Sequence, residues 1–141
     1  MISSRQLSFV TARLAVGMSM FGHGLVRLPK LSGFSNWMAG QFQKSMLPDF
    51  IITPFSYMLP VAEFIVGTLL LLGLFTRQAL TAGALVMISL IFGSTMIESW
   101  DALPSQLIHT AFFSILLSFE KQYNAIAVDK ILERNRLQIN K

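Results

Sequence analysis

The sequence predicts an all-α membrane protein, a four-transmembrane-helix bundle with an amphipathic helix in the first loop. Three observations carry that prediction. Four apolar stretches, roughly Leu7–Leu28, Tyr57–Phe75, Ala79–Ile97 and Ala102–Phe119, each approach the about 20 residues that a helix needs to cross about 30 Å of hydrocarbon. Hydrophobic residues fill 53% of the 141 positions and charged residues 13%, with a mean hydropathy of +0.59. Soluble domains carry about 25% charged residues, so this chain has too little charge to cover a water-facing surface. Finally, the stretches lack period-two alternation and are dominated by Ala, Leu, Met and Gly, which argues against strands.

Composition also removes several kinds of chemistry. There are no cysteines, hence no disulfides, thiolate nucleophiles, Cys-ligated iron–sulfur clusters or dithiol relays. The formal net charge is +4. Its basic residues sit in loops and tail, where they set membrane topology. The implied partner is the lipid bilayer, and no nucleic acid is expected.

The first span is interrupted by Arg13 and ends in His23-Gly24-Leu25-Val26-Arg27 without a small-residue cleavage site, so it reads as a retained helix rather than a signal peptide. Pro29–Ser56 follows. Within it Phe34, Trp37, Met38, Phe42 and Met46 fall at helical spacing between Gly33 and Pro48, predicting an amphipathic helix that lies in the interface or caps the bundle. Gly73–Arg77 is a tight turn between the second and third spans. The next loop carries Glu98, Trp100 and Asp101, and Pro104 stands in the first turn of the fourth span, where a proline removes no helical hydrogen bond. Residues 1–120 are expected to form the transmembrane domain. Residues 121–141 should form a basic surface helix around Ile126, Val128, Ile131 and Leu132, fraying after Arg136.

Orientation follows from the Lys/Arg bias. An even number of spans puts both termini on one side, together with Arg5, Arg77, Lys121, Lys130, Arg134, Arg136 and Lys141; the other side has Arg27, Lys30 and Lys44. Both termini are therefore expected in the cytoplasm.

Ionisable side chains at membrane depth are costly and draw functional suspicion. Topology places His23, Arg27, Glu63, Gln106 and His109 together in the outer half, with Arg13 alone in the inner half. At about 100° per residue, Arg13, Gly17, Met20, Gly24 and Arg27 share one stripe of the first helix. Glu63 shares a face with Gly67 and Leu70. Packing along these stripes would let Arg27 or His23 neutralise Glu63. Two readings stand open for each polar residue. Arg13 either snorkels to the headgroups or has a role in the bundle; His109 either bonds across helices or meets a ligand. A cavity is expected beneath Phe34–Met46, lined by the first, second and fourth spans, with Phe21, Leu70 and Phe112 in its floor. No phosphate loop, Ser–His–Asp pattern or metal-ligand spacing is present, so no metal site is expected.

The pattern Arg13-x3-Gly17-x3-Phe21-Gly22-His23-Gly24-Leu25-x-Arg27-Leu28 resembles the opening helix of the DoxX family. Leu59-Pro60-x-x-Glu63-x-x-x-Gly67-x-Leu69-Leu70-Leu71-Leu72-Gly73-Leu74-x-Thr76-Arg77 resembles its second helix and turn, and Gly33-Phe34 and Leu47-Pro48 its first loop. The likeness covers roughly the first two-thirds of the chain; the last two spans agree only in length and hydrophobicity. The resemblance implies a bacterial four-helix inner-membrane protein. Some members are subunits of thiosulfate:quinone oxidoreductase, and lysine is common where Arg27 stands. It assigns no catalytic residues. Two functions follow as expectations. In one, a quinone head group sits in the outer-half pocket, hydrogen-bonded by His23, Arg27 or His109, with Glu63 handling the proton and a partner subunit supplying electrons. In the other, the chain is a non-catalytic scaffold, assembly, or small-molecule- or lipid-binding component, acting with a partner subunit or as a homo-oligomer through Gly67, Ala79, Gly83 and the loop helix.

Overall fold

The computed structural model describes residues 2–139. Helix α1 spans Ser4–Arg27 and opens on a capping box, in which the Gln6 N–H donates to Ser3 Oγ and the Ser3 N–H to Gln6 Oε1. A single 3₁₀ turn, Leu28–Lys30, leads into α2, Leu31–Phe42. Next come α3, Asp49–Leu72, and α4, Thr76–Met96. A second 3₁₀ turn, Trp100–Ala102, precedes α5, Leu103–Tyr123, and α6, Val128–Ile139, ends the described chain. No strand occurs among the described residues.

Four helices are long and apolar enough to cross a membrane. Their outward faces carry Met18, Ile65, Leu85, Ile88, Phe92, Leu107 and Ile115, each at least half exposed within the chain. So much exposed apolar surface belongs against lipid rather than water. The spans form a square: α1 packs most extensively on α3, α3 on α4, α4 on α5, and α5 back on α1. The core between them holds Met20, Leu70, Leu80, Met87, Phe113 and Leu116.

Glycines set the α1–α3 distance. A Cβ on Gly24 would overlap the backbone of Phe64, and one on Gly67 the backbone of Phe21. In lipid, where apolar side chains gain nothing by leaving solvent, such close backbone approach is what holds helices together. Gly83 does the same for α4 and α5 by accommodating the Phe113 ring. Gly67, Ala79 and Gly83, read as surfaces for a partner, are therefore buried inside this bundle.

Several boundaries differ from expectation. The second span begins at Asp49, eight residues before Tyr57, and runs through Pro54 and Pro60. Ser56, fully buried beside these prolines, donates to the Thr53 carbonyl at 2.6 Å and accepts from Ser35 of α2 at 2.7 Å. The loop helix ends at Phe42, and only Phe34, Met38 and Phe42 of the proposed stripe turn inward; Trp37 is 57% and Met46 89% exposed. Met46 lies beyond the helix, and Trp37 stands one residue off the inward stripe. Helix α5 extends to Tyr123, past residue 120. Lys141, part of the charge bias, lies outside the described residues.

The segment after α5 is tied to the bundle. Asp129 accepts from the backbone N–H groups of Phe75 and Thr76 at 2.7 and 2.8 Å and thereby caps α4. Its own N–H donates to the Gly73 carbonyl at 3.0 Å. Gly73 turns the chain at φ +66°, a region that suits glycine.

Candidate functional site

At the α2 end of the bundle, Arg27 projects from the last turn of α1 toward Glu63 on α3. Its Nη1 donates to both carboxylate oxygens, at 2.8 and 2.7 Å. Glu63 is 3% exposed and the Arg27 side chain 26%. The guanidinium also lies 4.8 Å from the centre of the Phe34 ring, so α2 holds the cation from above. A buried carboxylate needs a partner, and Arg27 rather than His23 is that partner.

His109 of α5 lies within 2.8 Å of the Ser105 carbonyl through Nδ1 and within 2.8 Å of Ser19 Oγ through Nε2. A carbonyl only accepts, so Nδ1 carries the proton; Nε2 of the neutral ring then accepts from the Ser19 hydroxyl. His109 is thus a link between α5 and α1. His23 is an exposed side chain at the rim. Arg13 is at the other end of the bundle, 2% exposed, donating to Asn124 Oδ1 at 2.6 Å and the Ile126 carbonyl at 2.9 Å. It does not snorkel: its guanidinium turns into the protein.

Beneath α2 is a cavity of about 330 Å³, near the low end of the ~300–1,000 Å³ typical of small-molecule sites. His23, Arg27, Glu63 and His109 all line it. Its apolar floor is Met20, Leu59, Met87 and Leu90, and Phe34, Trp37, Phe42 and Phe55 bring aromatic rings to its walls. The expected floor residues lie elsewhere. Phe21 stacks on Phe64, with ring centroids 5.0 Å apart, Leu70 is fully enclosed deeper in the core, and Phe112 is 41% exposed on the outside of α5. Helix α4, expected to stand apart, contributes Met87, Leu90, Gly93 and Ser94. A uniformly apolar span gives no polar residue by which to place it at a site.

Gln106 adds the most informative group. Its Nε2 donates to Ser94 Oγ at 2.8 Å, while Oε1 is buried without a hydrogen-bond partner. Such orphaned atoms are uncommon in folded proteins. Its membrane depth was readable from the sequence; the pairing with Ser94, which leaves Oε1 free, was not.

Fold and cavity together define a small multi-pass membrane protein with polar groups converging over an apolar floor at one end of the bundle. The family model for DoxX matches residues 8–97, more than half of the 141. The chain belongs to the DoxX family. That match spans α1 to α4, so Gln106 and His109 lie outside it. The comparisons with curated proteins and with solved structures found no match.

Proposed function

We propose that this DoxX protein binds the head group of a membrane quinone in the cavity under α2 and acts as a quinone-linked subunit of the bacterial inner membrane. The observation that carries the reading is Gln106, a residue lining the cavity beside Arg27 whose buried Oε1 is an acceptor without a partner. A quinone ring needs donors for its carbonyl oxygens, and its reduced form needs acceptors for its hydroxyls. Arg27 has N–H groups beyond Nη1 to donate. The Gln106 amide offers an acceptor as it stands and a donor when rotated by half a turn, because Ser94 Oγ both accepts and donates. Aromatic walls suit a flat ring. Bound quinone supplies two-electron, two-proton redox chemistry, with electrons delivered by a partner subunit. Glu63 has both oxygens on Arg27, so its part is to hold that cation in place rather than to pass a proton. The Lys/Arg bias supports termini in the cytoplasm and a cavity in the outer half.

The test is a titration of the purified chain with a short-chain quinone, read by fluorescence of Trp37 at the cavity wall. Quenching is expected to saturate, and Trp37→Phe is expected to remove the saturable part and leave the Trp100 background. Gln106→Leu should weaken binding about three- to tenfold, the worth of one hydrogen bond. Quenching that never saturates, or that is unchanged in Gln106→Leu, contradicts the reading. A non-catalytic scaffold is the second reading, favoured by His109 and Glu63, whose polar atoms are satisfied within the protein. It expects a partner to co-purify without quinone.

A further inference from the structure

At the opposite end of the bundle Arg13 is buried without an ion pair among the described residues. Its two terminal nitrogens donate to neutral acceptors, Asn124 Oδ1 and the Ile126 carbonyl, and Nε has no partner. Among the described residues no carboxylate lies within ion-pair distance of it. Asp129, the acid of the adjoining segment, has its oxygens on the Phe75 and Thr76 amides. Buried cations are ordinarily paired, because an unpaired charge in a low-dielectric setting is expensive. The Asp129 carboxylate acts on Arg13 only through space, without an ion pair.

Arg13 lines a groove of about 1290 Å³ between α1, residues 124–127 and α6. Lys121 and Arg134 line the same groove, and neither forms an ion pair among the described residues; Lys130 is held by Glu133 at 2.7 Å. The groove is two-natured. Beside the cations it exposes Leu14 and Leu72, at 39% and 51%, on the membrane-spanning helices. Helix α6 alternates its basic residues with Ile131 and Leu137, 60% and 64% exposed, the pattern of a helix lying in the membrane interface.

We infer that this groove is a binding site for an anionic phospholipid. The phosphate sits among Arg13, Lys121 and Arg134, and the acyl chains follow Leu14 and Leu72 into the bilayer. The leucines are what distinguish a lipid from free phosphate, which gains nothing from an apolar wall.

The test is native mass spectrometry of the full chain in mild detergent, offered equal amounts of phosphatidylglycerol and phosphatidylcholine with matched acyl chains, with inorganic phosphate as competitor in a separate arm. The expected result is preferential retention of phosphatidylglycerol. Each basic side chain near an anionic group contributes about fivefold, so Lys121→Gln with Arg134→Gln should reduce the preference by about 25-fold. Both side chains are on the surface, and the melting temperature should stay unchanged. Arg13→Gln, if it folds, should also lose the preference; if it does not fold, the surface double variant still decides. Equal retention of both lipids overturns the proposal, and so does a preference that survives the double variant. Displacement of the lipid by millimolar phosphate assigns the site to a soluble anion and overturns the lipid assignment.

Discussion

Glu63 keeps 3% of its side-chain surface and Arg27 keeps 26%, and that inequality sets what each substitution does. Arg27→Ala strands a carboxylate that is almost wholly buried, the situation that costs about 3–5 kcal/mol. Glu63→Ala strands a cation that still reaches solvent and stacks on Phe34, so its cost should fall below that range. Thermal unfolding in detergent should rank Arg27→Ala as the more damaging, and Arg27→Leu with Glu63→Leu should recover most of the loss. Equal losses from the two single variants would mean that the two side chains are equally enclosed. Depth and helical phase in the sequence narrowed the partner of Glu63 to Arg27 or His23, and packing selects Arg27. The partners of Arg13 were not readable there: Asn124 and Ile126 stand 111 and 113 positions away, in a segment whose composition reads as surface. Ser19, which supports His109, carries no signal that separates it from any other serine in an apolar helix.

At the scale of elements, helix contact in lipid depends on backbone approach, and the glycines separate into two classes. Gly67 of α3 touches Phe21 across the α1–α3 interface, whereas Gly22 of α1 has nothing within 4 Å of an added Cβ. Gly67→Ala should push the helices apart at a cost of about 1–3 kcal/mol. Gly22→Ala should be neutral or add about 0.5–1 kcal/mol through helix propensity. Unfolding midpoints measured side by side check the contrast, and a stable Gly67→Ala would contradict the close packing. Asp129→Ala removes the cap on α4 and should cost about 0.5–2 kcal/mol, the usual worth of a helix N-cap. Sequence patterning located the four spans because runs of that length have few alternatives. It misjudged the start of α3, expected at Tyr57, because the helix begins at Asp49 and runs through Pro54 beside the Ser35–Ser56 link.

For the molecule as a whole, the square bundle has two chemically distinct ends. One end holds the neutralised Arg27–Glu63 pair and the cavity under α2; the other holds Arg13 and the basic groove under α6. The Lys/Arg bias predicts that a reporter active only in the periplasm and fused after Lys141 is silent; a strong signal there would invert the orientation and move the cavity to the cytoplasmic side. That the polar groups share one end followed from topology. The composition of the cavity did not, because α4 and the free Gln106 oxygen enter only through three-dimensional packing. The most direct measurement is the quinone content of the protein purified from native membranes. Quinone is expected to accompany the wild type and to fall about three- to tenfold in Gln106→Leu of equal stability, the worth of the one hydrogen bond removed. Wild-type protein free of quinone, or equal quinone in both, would contradict the assignment of this cavity.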